Sequence, residues 1–97
     1  MSYLLAIDEG TTGVRAHVFD DTSALRGAAY EELSPSYPQP GWVELDPEDI
    51  WRRTRKVCGE ALVAAKTNVK NLRAIGICNQ RATTLVWDRS TGIPVCP

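Results

Sequence analysis

The sequence predicts an α/β domain built as a three-strand meander, a helix and further strands. Two observations carry that expectation. Short apolar runs of strand length recur at residues 4–7, 14–20, 25–33 and 72–78, each bounded by turn chemistry. One segment, residues 46–65, instead repeats its apolar positions with a helical period.

The first strand, residues 4–7, is apolar without alternation, as expected of a strand covered on both faces. Asp8 closes it at the C-terminal end, where α/β sheets place their ligands. Gly10 and Gly13 then bracket Thr11 and Thr12. Glycine tolerates positive φ, so a sharp turn offering backbone N–H groups to an anion is expected here. The threonine hydroxyls add donors. A carboxylate beside such a turn suits a Mg²⁺ ion held mostly through water, together with the phosphates it accompanies. Arg15 can supply positive charge to a phosphate oxygen. By itself the stretch is equally compatible with an ordinary hairpin, because Asp and Gly make turns and Thr favours strands.

The second strand alternates Val14, Ala16 and Val18 with Arg15, His17 and Phe19. His17 has no Cys or His at ligand spacing and reads as a surface or half-buried strand residue. Asp20 to Ser23 is a turn, and residues 25–33 form a third strand weakened by Gly27 and two alanines. Pro35, Pro38 and Pro40 make residues 34–41 an extended loop. Trp42 reads as an anchor packing that loop down. The helix follows. Asp46 is its N-cap, Pro47 its first residue, and Glu48 and Asp49 sit at the positive end of the dipole. Leu45 and Ile50 are placed for a hydrophobic staple. Ile50, Thr54, Val57, Cys58, Ala61, Leu62 and Ala65 form its buried stripe, and Arg52, Arg53, Arg55 and Lys56 a solvated face. Residues 72–78 are again apolar throughout, which predicts a central strand. Asn79-Gln80-Arg81 follows at its C-terminal end, close to Asp8 if the two strands are neighbours. Residues 83–87 read as a further strand, and Asp88 to Gly92 as a turn.

Bulk properties narrow the function. Ninety-seven residues make one small domain at most. A net charge of -1 gives no electrostatic case for nucleic acid or for an anionic membrane surface. The N-terminus lacks a basic region followed by a secretory apolar core, and no run reaches the length of a membrane span. The cysteines, Cys58, Cys78 and Cys96, form no Cys-x-x-Cys pair; two of them lie in apolar patterns and read as small core residues. A reducing cytoplasm fits that usage.

Three blocks carry a family resemblance. They are Ala6-Ile7-Asp8-Glu9-Gly10-Thr11-Thr12-Gly13-Val14-Arg15-Ala16, then Tyr37-Pro38-Gln39-Pro40-Gly41-Trp42-Val43-Glu44-Leu45-Asp46-Pro47-Glu48-Asp49-Ile50-Trp51, then Ala74-Ile75-Gly76-Ile77-Cys78-Asn79-Gln80-Arg81-Ala82-Thr83-Thr84-Leu85-Val86-Trp87-Asp88. The chain resembles the N-terminal segment of the FGGY carbohydrate kinases, and within them the glycerol kinases. The resemblance implies the actin-like, ribonuclease-H-like ATPase fold, with residues 1–97 as the N-terminal portion of the first kinase domain, incomplete here. It implies ATP-dependent phosphorylation of a polyol or sugar hydroxyl. In that reading Asp8 helps organise Mg²⁺, and Gly10, Thr11 and Thr12 hold the nucleotide phosphates. Arg15 stabilises charge on the transferred phosphoryl group, and Arg81 hydrogen-bonds substrate hydroxyls. These roles suit phosphoryl transfer, which depends on positioning and charge stabilisation.

Departures from the family pattern qualify the substrate. Glycerol kinases usually carry a glutamate after the Gln-Arg pair, accepting hydrogen bonds from glycerol; here Ala82 stands there. A lost charged hydrogen bond costs about 1.5–3 kcal/mol, roughly ten- to a hundredfold in affinity. A related polyol or sugar is therefore the expected substrate class. Glu9 stands where glutamine is common, a charge tolerable near phosphates only if it points away or assists a metal. Leu45 replaces a histidine without evident chemical consequence. In the family the general base lies beyond residue 97, and Asp20, Asp21 and Asp88 read as turn residues. The 97-residue chain alone is thus expected to be inactive, with a partly uncovered sheet open to homo-oligomerisation. Two alternatives from other classes stand beside this. One is a truncated, non-catalytic nucleotide- or sugar-binding module. The other is a ribonuclease-H-like nuclease, which needs clustered carboxylates for two metals where only Asp8 is well placed.

Overall fold

Alternation of side chains fixes the first three strands. The computed structural model describes residues 1–97. In it β1 (Tyr3–Glu9), β2 (Gly13–Asp20) and β3 (Leu25–Glu32) form an antiparallel meander. Leu5 and Ile7 of β1 and Val14, Ala16 and Val18 of β2 point to one face and are buried. The helix α1 (Pro47–Ala64) covers that face, seating Thr54, Val57, Ala61 and Leu62 on it. The expected helical stripe is therefore the observed one. Asp46 caps the helix, its Oδ1 accepting from the Glu48 N–H at 3.0 Å.

The chain returns through a 3₁₀ turn, Val69–Asn71, into β4 (Leu72–Cys78). β4 pairs parallel with β1, bringing Cys78 opposite Asp8. The sheet order is β3-β2-β1-β4. The neighbourhood expected between the ends of the first and fourth strands is thus present.

Several expectations need correction. β4 is an edge strand, not a central one, and Ile75 and Ile77 are 56% and 67% exposed. Its apolar residues suit two-sided burial, but α1 lies over β2 and β3 and reaches only the near side of β1, leaving β4 uncovered. The molecule is accordingly only 19 Å along its shortest axis, one helix layer on one sheet. The opposite face of β1 is open too, with Leu4 45% exposed. For the same reason Cys78 is exposed rather than in the core, whereas Cys58 packs half-buried against it. Residues 83–87 form no strand. They find no ladder partner beyond one bridge between Trp87 and Pro94, and backbone groups without partners do not make a sheet. Trp42 is 54% exposed and does not anchor its loop; two backbone hydrogen bonds between Ser36 and Glu44 close that loop instead. The basic run on α1 is not uniformly solvated. Arg53 reaches across to the Glu32 carbonyl at 2.6 Å and to Glu31, and Lys56 also pairs with Glu31, tying the helix to β3.

Asp20 ends β2 as a turn residue. Its Oδ1 accepts from the Thr22 hydroxyl at 2.6 Å and from the Thr22 and Ala24 N–H groups. The Thr22 hydroxyl first, then those N–H groups and Arg26, hold its carboxyl below the usual range. The unfolded chain therefore takes up this proton at higher pH than the folded one. The resulting stability is present above the unfolded pKa of about 3.9 and is lost as pH falls through the lower folded value. Urea unfolding measured across that acid range should show the midpoint falling steeply in the native chain. It should fall less in Asp20→Asn; identical slopes would remove Asp20 from the acid limb.

Candidate functional site

The β1–β2 connection is a closed hairpin in which the Gly10, Thr12 and Gly13 carbonyls are used and the Thr11 and Thr12 N–H groups are not. Gly10 N–H donates to the Gly13 carbonyl at 3.0 Å. The Thr12 carbonyl accepts from Leu33 N–H at 2.9 Å, and the Gly10 carbonyl accepts from Gln80 Nε2 at 2.8 Å. Thr11 and Thr12 are exposed, and neither their N–H groups nor their hydroxyls bond within the chain. Two backbone and two side-chain donors are thus presented together, an arrangement that accepts an anion.

The glycines serve this turn differently from the expectation. Neither Gly10 nor Gly13 has positive φ. Gly10 is required because a Cβ would stand 2.7 Å from the Gly13 carbonyl oxygen. At Gly13 the Tyr30 ring lies close, its hydroxyl 2.2 Å from where a Cβ would be, so a side chain there would have to displace that ring. Space, not backbone freedom, selects both.

Asp8 and Arg15 are cross-strand partners at the end of β1 and β2. Both are exposed, on the sheet face away from α1, and they form no ion pair. Arg15 lies over the Tyr30 ring, 4.7 Å from its centroid, which holds the guanidinium without neutralising it. The Asp8 carboxylate makes no hydrogen bond within the chain and has no group of His, Cys or further carboxylates around it. A single uncommitted carboxylate fits Mg²⁺ that is coordinated mainly by water and phosphate. It does not fit a two-metal centre.

Arg81 and Thr11 line one cleft of about 470 Å³, with Glu44, Leu45, Ile50, Ala82 and Thr83 among its other walls. The hairpin and the segment after β4 therefore face each other. Asp8 and Arg15 are not part of that wall. Ala82 has φ +59°, in the left-handed region. Sequence reasoning missed three participants. Glu44 lies in the loop that block two merely aligned, Gln80 passed as a neighbour of Arg81, and Tyr30 gave no signal before its register with Arg15 was known. The turn aspartates each commit Oδ1 to their own turn: Asp88 Oδ1 accepts from the Ser90 hydroxyl and N–H and from Thr91 N–H, which lowers its carboxyl's pKa.

Glu9 points to the helix side, away from the hairpin donors. Its Oε1 lies 2.7 Å from the Thr54 hydroxyl, while Oε2 is buried without a partner. Burial first, then this carboxylate, raise the Cys58 thiol above its ordinary range.

The fold places the chain in a class. Over 98% of its length it superposes on a Plasmodium falciparum glycerol kinase solved with ADP, with a TM-score of 0.84 and 28% identity. It superposes equally widely on a xylulose kinase from Rhodospirillum rubrum, with a TM-score of 0.79 and 27% identity; it covers 19% of each of those chains. The fold is that of the actin-like ATPase carbohydrate kinases. Residues 3–97 match the N-terminal domain of the FGGY family of carbohydrate kinases, and the chain belongs to that family. It is 49% identical to the glycerol kinase of Leptospira biflexa serovar Patoc over 94 residues and 48% identical to that of Borrelia hermsii over 95, covering 97% and 98% of this chain. It spans 19% of the length of these curated relatives. No helix is long and apolar enough to cross a membrane.

Glu9→Met removes the unpartnered oxygen at similar length, while the Thr54 hydroxyl keeps the Ile50 carbonyl, 2.7 Å away, as its acceptor. A gain of about 1 kcal/mol in unfolding free energy is expected, because a buried acceptor without a partner costs roughly that much or more. Urea denaturation decides it, and a loss of stability would show that the carboxylate has a partner after all.

Proposed function

We propose that this chain is the N-terminal portion of the first domain of a carbohydrate kinase that phosphorylates a polyol or sugar hydroxyl with ATP. One observation carries the reading: the unspent donors of Thr11 and Thr12 stand on a hairpin whose Thr11 shares a cleft with Arg81. Phosphoryl transfer asks a protein mainly to position two oxygen-rich partners and to stabilise charge.

The family resemblance suggests a role for each residue, and the geometry supports it. The hairpin, through Gly10, Thr11 and Thr12, binds the nucleotide phosphates. Asp8 holds Mg²⁺, which when bound neutralises phosphate charge. Arg15, unpaired and carried on the Tyr30 ring, stabilises charge on the transferred group. Arg81 donates to substrate hydroxyls from the far wall of the cleft. The general base comes from elsewhere in a longer cytoplasmic protein, because Asp20 and Asp88 lie outside the cleft and each commits Oδ1 to its own turn. Residues 1–97 alone then bind without turnover. The small-molecule substrate needs neither nucleic acid nor membrane.

Ala82 sets the substrate preference in this reading, removing the carboxylate that glycerol kinases usually place beside the arginine. ATP-coupled assays on the complete protein with glycerol, other polyols, pentuloses and hexoses test both parts. Glycerol should be a poor substrate, and Ala82→Glu should lower its KM by about ten- to a hundredfold. Glycerol used efficiently by the unaltered protein would refute the role given to Ala82. Failure to phosphorylate any polyol or sugar would refute the kinase reading.

A further inference from the structure

One side chain joins the hairpin to the segment that carries Arg81. Gln80 Nε2 donates to the Gly10 carbonyl at 2.8 Å, and Gln80 Oε1 accepts from the Thr83 hydroxyl at 3.0 Å. The orientation of the amide is fixed by chemistry, since a carbonyl only accepts and must be met by the nitrogen. No other side chain bonds to the backbone of residues 10–13.

The consequence lies in the geometry of the peptide unit. The Gly10–Thr11 peptide is trans and planar, so its C=O and N–H point in opposite directions. Gripping the carbonyl from the β4 side turns the Thr11 N–H away from β4. Leu33 grips the Thr12 carbonyl from the other side of the hairpin, but through its own backbone. Two carbonyls are thus pulled outward while the N–H groups of Thr11 and Thr12 stay unspent. Gln80 is also the residue next to Arg81, which lines the same cleft as Thr11.

We propose that Gln80 is a positioning residue for this site. It clamps the Gly10–Thr11 peptide so that the Thr11 N–H is presented to a nucleotide phosphate, and it braces the hairpin against the Arg81 segment. The phosphate part of this inference rests on the kinase reading above. The clamp itself rests on the hydrogen-bond geometry alone.

The test uses the full 97-residue chain as wild type, Gln80→Leu and Gln80→Glu. Leucine removes the donor at similar volume. Glutamate keeps the shape but sets an oxygen against the Gly10 carbonyl, so either variant can serve if the other fails to fold. Nitrogen-15 relaxation without ligand reads the order parameter of the Thr11 N–H. It should fall from a rigid value of about 0.85 to below about 0.6 in both variants. The order parameters of α1 should stay unchanged. Titration with Mg–ADP should then show Kd weakened about tenfold or more, equivalent to ~1.4 kcal/mol. Thr83→Val, which frees only the far end of the Gln80 amide, should weaken it less. Thr11 equally rigid in wild type and both variants overturns the clamp. A rigid wild-type Thr11 whose signal ignores Mg–ADP refutes the kinase reading of the site and leaves the clamp standing.

Discussion

The antiparallel pairing of β1 with β2 is the constraint on which the molecule depends. Its register sets Leu5, Ile7, Val14, Ala16 and Val18 on one face, and that face is where α1 finds its buried surface. The same register puts Asp8 opposite Arg15 on the other face. A slip of one residue would exchange the two faces, exposing the core and burying the charges. Core and site are therefore specified by one set of hydrogen bonds. The hairpin at its end is tied on both flanks, to β3 through Leu33 and to the β4 side through Gln80, so the turn has little freedom of its own.

This economy explains how so few polar groups define a site. The hairpin offers neutral donors and the flanking arginines offer charge, while no carboxylate of the chain pairs with Arg15 or Arg81. The negative groups nearby are kept apart by strand alternation: Asp8 faces the open side of the sheet, and the adjacent Glu9 faces Thr54 on α1. A charge that the sequence alone would place beside phosphates is thereby directed elsewhere.

Local chemistry was legible in the sequence where it was decided locally. The period of residues 50–65 and the Asp46-Pro47 cap locate the helix, and the Asp20 and Asp88 turns follow from their own side chains. The polar ends of the first and fourth strands were legible too, because apolar runs terminate at Asp8 and at Asn79. What escaped depends on layers. An apolar strand reads as central whatever covers it, so β4 and residues 83–87 were assigned neighbours that these 97 residues do not supply. Gly10 and Gly13 suggested backbone freedom, whereas the fold selects them for the space taken by a carbonyl and by the Tyr30 ring. Gln80 lies 70 residues from its partner, and no local pattern could announce that bond.

Every role proposed for the hairpin turns on where phosphate binds. A crystal structure of this chain grown with Mg–ADP examines that directly. The account predicts a phosphate oxygen within hydrogen-bond distance of the Thr11 and Thr12 N–H groups, with the Gly10 carbonyl still turned toward Gln80. Nucleotide seated elsewhere, with the Thr11 and Thr12 donors left facing solvent, would contradict it.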